Sequence, residues 1–280
     1  MENQFGRVSE VFIRTKKQDS MTEVEDLYFS APFKVMHAFD RKDGWKEIMI
    51  MSVSAGTMAG DRQKYSFEIG AGSKVEVTSQ AYEKIHGMDS GFALRETEIH
   101  VEENAILYFR PQPVIPFAGS DFRSRTRIQL QKSDSRLIMS DILCSGRTAM
   151  GEKFSYRRYD NYVEIYKGME EKILSYRDNT RYEPNQKGEN SSLTGSMSGF
   201  GLYEGYEFLL NLLFCNISLE KEQEQKIQKV LENAESERIT GGFTYTWDGD
   251  LVIRALGMSA EKLEKLSEQL VKIMVIRDVM

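Results

Sequence analysis

Histidine and cysteine are scarce in this 280-residue chain, with three of the first and two of the second. Cys144 and Cys215 stand far apart, at neither a disulfide-framework nor a zinc-ligand spacing. With so few nitrogen and sulfur ligands, a closed transition-metal cage is not expected. Long apolar runs are missing too. The longest cluster, FLLNLLF at 208–214, falls far short of the ~20 residues that span a bilayer, so no membrane role is expected. The leading MENQFGRVSEVFIR has no apolar h-region, and the expected location is cytoplasmic. Excess positive charge is absent: the net charge is −6, which gives no reason to expect a nucleic-acid partner. There is no G-x-x-x-x-G-K-[ST], no G-x-G-x-x-G between a strand and a helix, no G-x-S-x-G elbow and no H-E-x-x-H, so no catalytic signature is found. Proline is rare as well. Of five in the chain, Pro111, Pro113 and Pro116 fall together in LYFRPQPVIPF, 107–117.

What is present is a β-rich pattern. The chain is 40% hydrophobic and 29% charged, enough to bury a sizeable core. Alternation marks strands in YSFEIG (65–70), KVEVTS (74–79), TEIHVE (97–102), AILYFR (105–110), RIQLQ (127–131) and RLIMSDI (136–142). These segments form a loose repeat of 29 to 32 residues. Phe67 and Ile69 are followed by Val75 and Val77, Ile99 and Val101 by Leu107 and Phe109, and Ile128 and Leu130 by Leu137 and Met139. One such unit cannot bury its apolar face alone, but stacked units can. The expected fold is mainly β, a β-helix-like stack of many strands with a few α-helices; hairpins of an ordinary sandwich would give nearly the same pattern. A single domain is expected over 1–280. It comprises a β-stack over about 1–182, a polar loop over about 183–199 and a β-α-β-β-α end over about 205–278. Within that end, Ser218 is an imperfect helix cap, Ser259 a better one, and the hairpin turns at Asp248-Gly249.

Four stretches carry possible chemistry. SAGTMAGD (54–61) is a turn of small residues in which Asp61 either satisfies backbone amides or faces water or a cation. VTSQAYEKIHG (77–87) ends a strand in Thr78, Ser79 and Gln80, with His86 beyond it. In GRTAMGEKF (146–154) two glycines bracket a short turn, with Arg147 and Glu152 close enough to pair. The prolines of PQPVIP withhold ladder hydrogen bonds, so the segment is either an edge or a crossing between layers. They either protect an edge or present Gln112 and Ile115 rigidly for docking.

Taken together, in this order and spacing, the stretches resemble the UreD (UreH) urease accessory family. The matching steps are Gly60-Asp61, Thr78-Ser79-Gln80-Ala81, Leu107 through Ile115, and Gly146-Arg147 through Gly151-Glu152; the end, GGFTYTWDGDLVIRALG plus a helix, is similar too. The resemblance covers roughly residues 5–278. It implies a β-helical stack in one domain and a scaffold and chaperone role, without catalysis, in nickel insertion into apo-urease. It implies as partners the helical accessory protein UreF and the GTPase UreG, with the heterodimer of accessory proteins dimerising again. It further implies a water-filled passage for nickel in transit, with no stably bound cofactor. By resemblance and chemistry together, the lining would be Asp61, Thr78, Ser79, Asp141, Glu152 and Asp178. Pro111, Gln112, Pro113, Ile115, Gly146, Arg147 and Gly151 would be structural or docking positions. Such carboxylate and hydroxyl contacts suit an ion that must leave again. Two alternatives stand beside this reading: a β-helix carbohydrate-active enzyme of the secreted type using Asp61, Asp141 and Glu152, and a bridging protein with no nickel role.

Overall fold

The computed structural model describes residues 8–184, 197–199 and 201–275. In chain order its strands begin with β1 (Val8–Gln18), β2 (Met21–Phe29), β3 (Phe33–Val35), β4 (Phe39–Asp40), β5 (Trp45–Ser52) and β6 (Arg62–Ile69). Then come β7 (Lys74–Ser79), β8 (Glu83–Ile85), β9 (Ala93–Val101), β10 (Ile106–Arg110), β11 (Val114–Pro116) and β12 (Asp121–Leu130). These are followed by β13 (Arg136–Cys144), β14 (Arg158–Lys167), β15 (Ile173–Tyr182) and β16 (Phe208–Cys215). The chain closes with α1 (Lys221–Ala234), β17 (Ile239–Tyr245), β18 (Leu251–Gly257) and α2 (Ala260–Val275). The expected loop at 183–199 lies mostly outside the described residues.

One sheet has seven strands in the order β15-β14-β12-β9-β6-β1-β2. The other has eleven, with β17-β18-β16-β13-β10-β7-β5-β3 as its main path. The chain is mainly β, as expected. Both sheets are open, with edges at β2, β15, β3 and β17, so the topology supports the layered reading but not a closed helix of strands. From β6 to β13 the longer strands alternate between the sheets, and each pairs in parallel with its counterpart one repeat away.

The repeat explains this pairing. Ile13, Phe67, Ile99, Ile128 and Ile165 stand side by side across five strands of the first sheet. Ile48, Val77, Phe109, Met139 and Leu213 do so across the second. The two rows meet in one buried cluster, where the Phe67 and Phe109 rings approach to 5.7 Å. Each fully buried side chain of this size contributes about 1.5–3 kcal/mol, so these rows dominate the energetics of the sandwich. A second cluster joins the outer face of the eleven-stranded sheet to both helices. A third, with Ala93, Phe122, Leu143, Tyr159 and Tyr203, lies at the far end of the strands.

The helices pack as their apolar spacing requires. Ile227 and Leu231 of α1 and Leu263, Leu266, Leu270 and Met274 of α2 are buried against the sheet. The first helix is capped at Glu220, two residues after the expected Ser218, because Glu220 and Gln223 form a reciprocal capping box. The second begins at Ala260, where the Leu263 amide bonds to the Ser259 carbonyl as expected.

The proline stretch is not an edge. β10 and β11 lie inside the eleven-stranded sheet, flanked by β7 and β8 on one side and β13 on the other. Pro111 to Pro113 mark the break between the two strands. Edge protection is therefore not their role; the donors they withhold are ones the interrupted ladder does not use.

Candidate functional site

Between the first and third apolar clusters, the inward-facing positions turn polar on both sheets. In the seven-stranded sheet, Thr180, Asn161, Ser124, Arg95 and Gln63 stand in register across five adjacent strands. In the eleven-stranded sheet the corresponding row is Arg254, Asn211 and Asp141 on β18, β16 and β13, and Ser79 beside Ile50 on β7 and β5. β10 ends at Arg110, opposite Thr78, so Pro111 falls at this level and the proline break lies in the polar row. Asn161 Nδ2 donates to Asp141 Oδ2 at 3.2 Å and ties the two rows together across the sandwich.

Asp141 is the centre of the layer. Burial pushes its pKa up to about 6; the Asn211 amide opposes the shift, the Asp178 carboxylate adds to it and Arg254 opposes it. Asp141 Oδ1 and Asn211 Oδ1 are both shut from solvent, and neither has a donor in hydrogen-bond geometry among the described residues. Leaving buried acceptors unsatisfied costs about 1–3 kcal/mol each. Three tyrosines adjoin the site, Tyr159, Tyr176 and Tyr182, and burial raises the pKa of each above the ordinary phenol value.

Arginines stand at both ends of the row. At one end Arg254 donates to Asp178 Oδ1 at 2.6 Å, and the Thr180 hydroxyl donates to Asp178 Oδ2 at 3.1 Å. A cavity of about 330 Å³ opens here between the edges β15 and β17, with Thr180, Tyr182, Gly241 and Arg254 in its wall. At the other end the buried Arg95 guanidinium meets Glu83 at 2.6 Å and Gln63 Oε1 at 2.8 Å, over the rings of Tyr65 and Phe122. Gln63 donates onward to the Thr57 hydroxyl at 3.0 Å, which donates to Glu83 at 2.5 Å. A smaller hollow of about 100 Å³ lies at this end, with Ser79, Phe33, Tyr65 and Glu83 in its wall.

Of the six proposed lining residues, the structure brings Asp141, Asp178 and Ser79 to this layer. Asp61 stands just before Gln63, where its carboxylate closes its own turn by accepting the Met58 amide at 2.8 Å. Thr78 alternates with Ser79 and so faces the other side of its sheet, where its hydroxyl donates to the Arg110 carbonyl at 3.1 Å. Glu152 lies at a corner, held by Arg147 in a two-point contact and accepting the Ala118 amide at 3.2 Å. The hydrogen bonds from Arg147 lower its pKa. Gly146 and Gly151 shape that corner with positive φ angles of 144° and 76°, and Arg147 stacks over Phe117 at 4.3 Å. Pro113 is buried, whereas Pro111, Gln112 and Ile115 are half-buried.

Gln63, Arg95, Asn161, Asn211 and Arg254 were not singled out from sequence. A signal for the first two was there. Gln63, Arg95 and Ser124 each sit four residues before the first apolar position of a repeat, at Phe67, Ile99 and Ile128. A polar residue at one recurring inward position of several strands marks a polar layer rather than a lapse in patterning. Among the described residues, no group of three or more His, Cys, Asp or Glu side chains is placed to hold a metal ion. Nor is any described helix long and apolar enough to cross a membrane.

The chain matches the sequence model described as UreD urease accessory protein over residues 8–279. It is 35% identical over 272 residues to the urease accessory protein UreH of Helicobacter pylori strain J99, covering 97% of this chain and 96% of that one. It is 33% identical over 267 residues to the urease accessory protein UreD of Acetivibrio thermocellus, covering 95% and 97%. The UreD protein of Haemophilus influenzae strain PittEE is 27% identical over 271 residues, covering 94% and 97%.

Proposed function

Because the chain belongs to the UreD family of urease accessory proteins, we propose that it serves urease maturation as a scaffold that docks an accessory complex on apo-urease and gives nickel a route to the metallocentre. Its partners in this reading are UreF, the GTPase UreG and apo-urease, with the accessory heterodimer dimerising again. Nickel is cargo, not a resident cofactor. The observation that carries the reading is the polar layer between the sheets, centred on Asp141 and flanked by Asn161, Asn211 and Asp178. A structural sandwich gains nothing from a buried carboxylate among unsatisfied oxygens; well-packed apolar residues would be more stable there. Oxygen donors of this kind fit transit, since they hold a borderline dication weakly enough to release it. Ser79 and Asp178 join Asp141 along the route.

The relatives are named urease accessory proteins, and a role in maturation rather than catalysis fits that name. The carboxylates considered for sugar cleavage are also otherwise engaged: Asp61 by its own turn, Glu152 by Arg147, and Asp141 between the sheets. The remaining alternative is a bridge without a nickel role. Urease activity and bound nickel, measured in cells carrying the structural and accessory genes, separate the two. Asp141→Ala should lower both activity and nickel content while the accessory complex still co-purifies. Normal activation by that variant would leave only the bridge.

A further inference from the structure

The charges of the polar layer are unevenly matched. Arg95 meets Glu83 and Arg254 meets Asp178, whereas Asp141 has no contacting cation among the described residues. A divalent ion reaching Asp141 would bring two positive charges to one carboxylate. Asp178 is the second carboxylate whose field Asp141 feels, and it is already held by Arg254. That hold is easily exchanged. The Arg254 side chain is 50% exposed at the wall of the cavity between β15 and β17, and a half-exposed ion pair is worth about 1 kcal/mol or less. Asp141 Oδ1 and Asn211 Oδ1 supply two more oxygens shut from solvent, a donor set suited to divalent cations.

We infer that Arg254 is a resident cation at the mouth of the layer, holding Asp178 until a divalent ion beside Asp141 takes that carboxylate and releases the guanidinium into the cavity. The exchange keeps charge nearly balanced: one monovalent cation leaves the carboxylates as one divalent cation arrives, and no bond is made or broken beyond coordination. Arg254 is thus a positioning residue, and it tunes the affinity of a site whose ligands are Asp141, Asp178 and Asn211. The inference rests on the passage reading above.

The test is calorimetric titration of nickel alone into the purified full chain at low ionic strength. Arg254→Gln should bind up to about fivefold more tightly than the unaltered chain, equivalent to about 1 kcal/mol. Arg254→Lys, which keeps a cation at the mouth, should stay near the unaltered affinity. In an Asp178→Asn background the Arg254→Gln gain should vanish. If Arg254→Gln fails to fold, Arg254→Met keeps the aliphatic stem in place and answers the same question. Equal or weaker binding by the neutral variants, or no measurable binding by any form, overturns the inference. Urease activation tells its failure apart from that of the passage. A harmful Asp141→Ala together with unchanged nickel affinity in Arg254→Gln removes only the exchange, whereas a harmless Asp141→Ala removes the passage itself.

Discussion

Replacing Asp141 by an asparagine should make the protein more stable and less useful. Folding lifts the Asp141 pKa from the ordinary 3.8 to about 6, so the folded state binds a proton more tightly than the unfolded chain. The stabilisation this gives is complete below about pH 3.8 and is lost as pH rises through about 6. At neutral pH the ionised carboxylate therefore works against folding. The difference between 3.8 and about 6 corresponds to about 3 kcal/mol. Asp141 is partly exposed as a residue, so about 1–3 kcal/mol is the figure to expect after solvent screening. An asparagine side chain is nearly isosteric and carries no charge. Urea denaturation at pH 4 and pH 7.5 provides the assay. The amide introduced by Asp141→Asn does not titrate, so the stability difference between that variant and the unaltered chain should be small near pH 4 and grow toward pH 7.5 in favour of the variant. In cells the same variant should activate urease poorly. A variant less stable at pH 7.5, or a difference that does not change with pH, would refute the account of Asp141 as a buried, unpaired carboxylate.

Other expectations follow from particular contacts. Asp250 is 3% exposed and receives the Lys167 ammonium, the Ser175 hydroxyl and the Asn216 amide; Asp250→Ala should cost about 1–3 kcal/mol of stability in denaturant unfolding, because the Asn216 amide loses its acceptor while Lys167 and Ser175 keep Asp248. Gly146 has φ of +144° and its missing Cβ would meet the Glu152 carbonyl, so Gly146→Ala should cost at least about 1–3 kcal/mol of thermal stability. Ser79 and Thr78 are neighbours on opposite faces: Ser79→Val should reduce urease activation severalfold, while Thr78→Val should cost about 0.5–1.5 kcal/mol of stability and leave activation within about twofold.

Much of the sandwich was legible in the sequence because its signal is local and repeated. The apolar pairs at Phe67, Ile99 and Ile128 recur at nearly constant spacing, and a period-2 strand must place them on one face. Whether the sheets close was not legible, since closure depends on how edge strands such as β15 and β17 meet, and neither carries the repeat. The proline stretch was misleading for a related reason. Pro111 and Pro113 show that a ladder is interrupted but not whether the interruption is at an edge or inside a sheet; only the neighbours β8 and β13 decide that. For the candidate site, Asp141 and Ser79 could be found from motif and chemistry. Arg254 and Asn211 could not, because they come from antiparallel strands far along the chain whose register with β13 is set by tertiary packing. Glu152 and Asp61 looked alike in sequence as acids beside glycines, yet local hydrogen bonds occupy both.

The shared level of the polar row constrains how this chain can change length. Adding or deleting one residue within β9, β12 or β14 would turn that strand's polar position outward and an outward residue inward, breaking the layer and both adjoining apolar clusters at once. The same change in a connecting turn shifts no register. The repeats already differ from one another by one to three residues, a variation that the turns absorb. Insertions tolerated by functional relatives should therefore concentrate in the turns, and a scan of single-residue deletions would trace the walls of the layer as an unbroken band of loss.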